Sequence, residues 1–241
     1  MKQFTSELQG LFFDLDGTLL QVEMQQFIPA YLEDLSRQFV DNVPAERFSR
    51  VARQAVHALL REGDAERTNR ERYLAMIERH LSIPPGLFEE RLELWLEESL
   101  HRLSGHVSPI DHVRPLLDDC FTLGIPIILA TNPVFPAAMI EARLAWSGLE
   151  DYPFNFITSY ENTRYCKPQQ GYFQDLLDRF ELEARHCLMV GNDTEHDLAA
   201  AKVGIKTFLV DTYLIDRTDG KYSYDYRGEL TDLHGLVQTF V

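Results

Sequence analysis

The sequence predicts an α/β protein: a parallel sheet covered by helices on both faces and interrupted by an all-helical insertion. Two observations carry this reading. Short apolar runs alternate with helical patterns through the chain from about residue 109 onward. Residues 21–108 suspend the alternation and show helical periodicity alone.

The β-type runs are "GLFFDL" (10–15), "IPIILAT" (125–131), "FNFITS" (154–159), "CLMVGN" (187–192) and "KTFLVD" (206–211). Apolar runs of this length, separated by helices, mark strands buried on both faces, as in parallel sheets. Helical patterns cover 114–123, 136–146, 171–180 and 197–203, and "LTDLHGLVQTF" closes the chain as a final helix. The polar, aromatic-rich stretch within 212–229 reads as a loop with no evident purpose. Inside 21–108, four segments read as helices: 24–39, 45–62, 69–81 and 86–103. Phe48, Val51, Ala55 and Leu59 share one face, as do Leu92, Trp95, Leu96, Leu100 and Leu103. Thr68 and Glu71 form a capping-box pattern before the third of them. The expected organisation is thus a core of 1–20 and 109–241 and a helical cap of 21–108.

Composition narrows the function. With 23 basic and 38 acidic residues the net charge is −15. That balance argues against a basic nucleic-acid surface, and any anion site must supply its own local positive charge. Three cysteines without a CxxC pair suggest neither a disulfide framework nor a zinc site, and Cys166 reads as a packing residue. No apolar run approaches membrane-spanning length and the N-terminus lacks a signal-peptide pattern, so a cytoplasmic protein is expected.

The chemistry-bearing residues stand where the predicted strands end, the edge at which open parallel sheets collect reactive groups. In "LFFDLDGTLL" (11–20), Asp14 and Asp16 leave an extended chain on the same side, and Gly17 permits a turn. An Asp-Gly turn accounts for Asp16 but not for Asp14 directly behind three apolar residues. The DxDGT pattern arises by chance in roughly one chain of this length per two hundred. Thr131 ends the second run; Asn132-Pro133 alone reads as an ordinary helix start. A lone Lys such as Lys167 before Pro168 is usually a solvated charge. Asp193 and Asp197, spaced i, i+4, follow a buried run, although Thr194 with Asp197 also matches a capping box.

Taken together the four loops point to phosphate chemistry. Acids on separate strands suit Mg²⁺, which takes oxygen ligands from one or two carboxylates and a phosphate. A Thr hydroxyl, N–H groups at a helix start and one Lys make a phosphate cradle. Asp14 then serves as a nucleophile forming an aspartyl-phosphate, and Asp16 as the acid–base group.

At these residues the chain resembles the haloacid-dehalogenase-like hydrolases. Their four motifs occur in order as "DLDGT" (14–18), "ILAT" with Asn132, "CKP" (166–168) and "GNDTEHD" (191–197). The resemblance implies a Rossmann-like core, Mg²⁺ dependence and, for most such proteins, phosphomonoester hydrolysis. By position it makes Asp14 the nucleophile and Asp16 the general acid and base, with the Asp16 carbonyl on the metal. Thr131, Asn132 and Lys167 then bind the phosphoryl group, Asp193 ligates the metal, and Asp197 joins it directly or through water. One departure stands out: the fourth motif commonly has Gly before its first Asp, and here it has Asn192.

The expected function is a Mg²⁺-dependent phosphatase acting on a small phosphorylated metabolite, with the cap limiting access. A phosphoglucomutase-type phosphotransferase shares every core motif. A dehalogenase would lack the second acid, so Asp16 argues against it. A phospho-acceptor signalling domain uses a similar acidic pocket, but the insertion and the DxDGT spacing count against it. The sequence fixes neither the substrate nor the oligomeric state; Arg53, His57, Arg61, Arg67 and Arg70 of the cap either face the site or solvate helix surfaces.

Overall fold

The computed structural model describes residues 8–240; the expected start of the core at residues 1–7 lies outside them, as does Val241. Six strands form the main sheet: β1 (Gly10–Phe13), β4 (Ile127–Leu129), β5 (Phe156–Ile157), β6 (Cys187–Gly191), β7 (Lys206–Val210) and β8 (Tyr226–Gly228). Their order is β5-β4-β1-β6-β7-β8 and every pairing is parallel. Leu11 faces Ile127 on one side and Leu188 on the other, and all three are buried. Burial on both faces is why these runs are continuously apolar rather than alternating. The expected Rossmann-like α/β core is what the chain adopts.

Each of the five strands expected from an apolar run stops short of the run's carboxyl end, while β8 forms within 212–229, the stretch expected as a loop. β1 stops at Phe13, β4 at Leu129 and β6 at Gly191. The residues just beyond are those with chemistry, released from the ladder to reach one edge. Because β4 and β6 flank β1, the loops after all three converge where the strand order reverses, the crevice in which open sheets bind ligands.

Helices α5 (Val113–Thr122), α6 (Ala137–Trp146), α7 (Gln170–Arg179) and α8 (Leu230–Val237) cover the sheet, close to the expected segments. The segment expected as a helix over 197–203 is instead a 3₁₀ helix, Leu198–Val203, ended by Gly204 in the left-handed region. The Asn132-Pro133 helix start is not used either; Pro136 precedes the first turn of α6.

The insertion is helical as expected, with α1 (Met24–Ser36), α2 (Ala45–Arg61), α3 (Asn69–Leu81) and α4 (Pro85–Glu98). It is not helical throughout. Strands β2 (Leu20–Val22) and β3 (Val107–Pro109) pair antiparallel at its two ends, with Gln21 opposite Ser108. Three-residue strands carry too little periodicity to read, yet a paired ribbon is an economical way to bring both chain crossings together. The Thr68–Glu71 capping box forms as expected. Phe39 stacks on Phe48 at 4.9 Å and on Phe88 at 5.4 Å, tying together three segments of the cap.

Cap and core are not separate apolar units. One hydrophobic cluster runs from Phe48 and Trp95 in the cap to Phe13 and Leu129 under the sheet. The loop between α2 and α3 also docks on the core. Asp64 N–H donates to the Arg164 carbonyl, Asn69 N–H to Thr163 and Arg70 N–H to Tyr160. The buried Asn69 amide reaches the Pro133 carbonyl, the Thr163 hydroxyl and the Tyr165 carbonyl at 3.2–3.3 Å.

Candidate active site

The residue after β1, Asp14, has its backbone N–H bonded to Val190 of the neighbouring β6, which fixes where its side chain leaves the sheet. Lys167, nearly fully buried, reaches it from the loop before α7. Its Nζ donates to Asp14 Oδ1 at 2.6 Å and to Asp197 Oδ1 at 2.7 Å. Four of the expected loops therefore meet: Thr131 stands at the same edge, buried, with its carbonyl held by Thr158 and Tyr172 hydroxyls. Asn132 bonds through Nδ2 to the Lys167 carbonyl, and its buried Oδ1 has no partner among the described residues.

Burial is the main influence on these groups. It pushes the Asp14 carboxyl up to about 6 against the pull of Lys167, with the nearby Asp197 charge adding to the rise. Asp197 is likewise raised by burial, again opposed by Lys167. Burial would lower Lys167, but the two carboxylates outweigh it and hold the ammonium charged. Burial also raises Asp16, and there the opposing cation is Arg143. Counted together, Asp14, Asp16, Asp193 and Asp197 face Lys167, Arg143 and Arg217, one anion in excess.

The structure adds partners to two of these acids. Asp197 makes no side-chain cap hydrogen bond, and each of its oxygens has a partner. Oδ1 takes Lys167 and Oδ2 accepts the Asp193 backbone N–H at 2.9 Å. Gly191 makes this possible, since a Cβ there would run into the Asp197 carboxyl. Asp16, expected as the acid–base group, is gripped by Arg143 of α6: Nη1 lies 2.6 and 2.5 Å from its two oxygens.

Asp193 Oδ1 accepts the N–H groups of Glu195 and His196, and Oδ2 pairs with Arg217 Nε at 2.5 Å. Burial alone would raise this carboxyl, but His196, those N–H groups and Arg217 outweigh it and hold it below the ordinary range. Arg217 comes from the loop that had no evident purpose. That loop returns to the site because Ile215 pairs with Asn192 and Thr194 through the backbone. Asn192, the departure from the usual motif, fills the space above Gly17, where φ is +85° and a Cβ would collide with its amide. Its Nδ2 donates to the Tyr213 carbonyl at 2.6 Å, so it seats the loop.

Among the described residues no three His, Cys, Asp or Glu side chains form a ready-made metal cluster. The available oxygens at this edge are nevertheless of the right kind: the carboxylates of Asp14 and Asp193 and the Asp16 carbonyl, with no thiol nearby except Cys166. Burial pushes that thiol up to about 12, which leaves it uncharged and inert. Two carboxylates and a carbonyl, with an excess negative charge to offset, fit Mg²⁺.

Above these residues lies a cavity of about 860 Å³, floored by Asp14, Asp16, Thr131 and Lys167 and roofed by the cap. Arg53 and His57, one turn apart on α2, line it; Arg61, Arg67 and Arg70 do not.

This floor of Asp, Thr, Lys and Asp on a Rossmann-like sheet, under a helical roof, defines a hydrolase class. A family model of haloacid dehalogenase-like hydrolases matches residues 8–204, and the chain belongs to that family. A curated relative, the ribulose-1,5-bisphosphate 5-phosphatase of Halopiger xanaduensis, is 29% identical over 93% of this chain and 98% of its own length. Among solved structures, the L-2-haloacid dehalogenase RSc1362 aligns with a TM-score of 0.58 at 15% identity, covering 97% of this chain and 100% of that one. YfnB of Bacillus subtilis, solved with magnesium, aligns at 0.57 and 20% identity with the same coverage. The structural likenesses show the fold alone. The family and the curated relative support the expected phosphoric monoester hydrolase.

Proposed function

We propose that the protein is a Mg²⁺-dependent phosphatase of small phosphorylated metabolites that works through an aspartyl-phosphate. The observation that carries this reading is Lys167 bridging Asp14 and Asp197 at the cavity floor, with a second acid two residues beyond Asp14. A dehalogenase needs no second acid, and a signalling receiver needs no cap-covered cavity of about 860 Å³.

In the first step Asp14 attacks phosphorus, the bond from phosphorus to the ester oxygen breaks, and Asp16 gives its proton to the departing oxygen. Lys167 and Thr131 hold the phosphoryl oxygens, and Asp197 keeps Lys167 aimed. In the second step water attacks the aspartyl-phosphate, its proton passes to Asp16, and the phosphorus–Asp14 bond breaks to release phosphate. Asp14, Asp193 and the Asp16 carbonyl would hold Mg²⁺, which offsets the phosphate charge in a protein that is itself acidic. The cap excludes water during the first step.

The substrate reading follows the cavity and the relative. Arg53 and His57 form no ion pair with any described residue and face the cavity from the roof, so they suit a second anionic group at the far end of the substrate. A sugar bisphosphate, the substrate class named in the curated relative, has that form. The test is phosphate release from a panel of phosphometabolites with Mg²⁺ and with excess chelator. Turnover of bisphosphates well above monophosphates, abolished by chelator, is expected; full activity in chelator would refute the metal role.

A further inference from the structure

We infer that Arg143 is the positioning residue of the reaction: it fixes the Asp16 carboxylate where it exchanges protons with the leaving oxygen and with water. This rests on the phosphatase reading above. The starting observation is an arginine where none belongs. Arg143 lies on the buried face of α6 with Met139, Ile140 and Leu144, and it is completely inaccessible to solvent. Arginine is almost never fully buried unless paired.

Its surroundings are built to hold the guanidinium still. Nε donates to the Met139 carbonyl at 3.2 Å, and Nη1 spans both Asp16 oxygens at 2.5–2.6 Å. The guanidinium carbon sits 4.9 Å from the Phe135 ring and 5.9 Å from that of Phe27. Phe135 belongs to the loop that follows Thr131 and lines the cavity, while Phe27 belongs to cap helix α1. Arg143 is thus wedged between the phosphoryl-binding loop and the cap. Among the described residues no other side chain hydrogen-bonds to the Asp16 carboxylate, so its orientation depends on this one contact.

Stability does not account for the arrangement. Buried ion pairs are commonly no better than well-packed apolar residues of the same volume, and they lose when polar atoms stay unpaired. Here Nη2 is buried with no partner among the described residues. A carboxylate that must present the same oxygen to two successive reactants does gain from a fixed, planar partner. The step concerned is the attack of water on the aspartyl-phosphate: the water oxygen bonds to phosphorus, its proton goes to Asp16, and the bond from phosphorus to Asp14 breaks.

The experiment is rapid mixing of the Mg²⁺-loaded enzyme with p-nitrophenyl phosphate, whose leaving group hardly needs a proton. Asp16→Asn keeps a burst near one product per site and loses steady turnover. Arg143→Lys is expected to keep the burst and KM while its steady rate falls about 10–100-fold, part of the ~10²–10⁴ that acid–base catalysis supplies. In the Asp16→Asn background the same substitution should change the rate less than about twofold. An equal loss in both backgrounds is the mark of a merely structural role and overturns the proposal, as does an unchanged or faster Arg143→Lys. A wild-type enzyme with neither burst nor turnover refutes the phosphatase reading itself, and the positioning role falls with it. Should Arg143→Lys fail to fold, a crystal structure of the wild type with beryllofluoride on Asp14 decides. Arg143 Nη1 must still lie within about 4 Å of the Asp16 oxygens; separation overturns the proposal.

Discussion

Replacing Lys167 by Met keeps the length of a buried side chain and removes the one cation between Asp14 and Asp197. The ammonium is 2.6 and 2.7 Å from the two carboxylates and nearly inaccessible to solvent. Removing one partner of a buried pair costs about 3–5 kcal/mol, because the remaining charge stays buried and uncompensated. For a chain of this size each kcal/mol moves the melting temperature by about 2–4 °C, so the loss should be roughly 6–20 °C. The sign of its pH dependence follows from Asp14, whose folded-state carboxyl is pushed up to about 6 by burial even with Lys167 present. Without the cation, Asp14 and Asp197 are raised further. A group raised on folding destabilises where it is ionised in both states, and that penalty fades as pH falls toward the ordinary carboxyl value of 3.8. The other charged groups at the cluster, Asp193, His196 and Arg217, are common to both proteins. The gap between wild type and variant should therefore be widest at alkaline pH and keep narrowing as pH falls below about 6. Thermal melts followed by circular dichroism in metal-free buffer with chelator, at pH 8 and pH 5, measure it. Adding Asp197→Asn to the variant should restore part of the loss at pH 8. A melting temperature equal to wild type, or a deficit independent of pH, would refute the placement of Lys167 as a buried counter-charge.

Three further outcomes are expected. Asp14→Asn should abolish both the burst and the steady release of p-nitrophenol, and phosphate-labelled substrate should leave no acid-stable label on the protein. Arg53→Ala should raise KM for a bisphosphate roughly tenfold, about the worth of one charge-assisted contact, while leaving p-nitrophenyl phosphate unaffected; a kcat effect on both substrates would count against a second-anion site. Asn69→Ala leaves buried carbonyls of the core loops without their donor, a cost of about 1–3 kcal/mol. Hydrogen exchange of the Asp64, Asn69 and Arg70 amides, which bond across to the core, should then quicken about 5- to 150-fold, and unchanged protection would show the docking to be held elsewhere.

What the sequence made legible was what neighbouring residues decide. Buried parallel strands announce themselves because both faces must be apolar, and amphipathic helices because one face must be; hence the core and the helical insertion were both readable. The ends of strands were not. "IPIILAT" is apolar as far as Ala130, yet only Ile127–Leu129 pair in the ladder, since the loop must turn early enough to present Thr131. The ribbon of β2 and β3 escaped for a related reason: its register joins Gln21 to Ser108, and no local pattern records a pairing 87 residues apart. The 3₁₀ helix at Leu198–Val203 departs from the expected helix because Asp197 is pulled back to the Asp193 N–H and Lys167 instead of capping.

The site was legible to the same limit. Acids placed behind apolar runs are costly enough to signal a purpose, so Asp14, Asp16, Asp193 and Asp197 stood out along the chain. Their partners did not, because Arg143 and Arg217 act across 127 and 24 residues. One of the two left a trace. In "AAMIEARLAW" the spacing of Met139, Ile140 and Leu144 puts Arg143 on the apolar face, and an arginine on such a face needs an acid brought to it. The unexplained acids included those of "DLDGT" as well as Asp193 and Asp197, so the pattern says that Arg143 has an acidic partner without saying which one. Arg217 offered no such signal. It stands in a polar loop where any charge is at home, and only the backbone pairing of Ile215 with Asn192 carries it to Asp193. A buried charge can be inferred from the pattern it violates, while an exposed one becomes informative only when the fold supplies its neighbour.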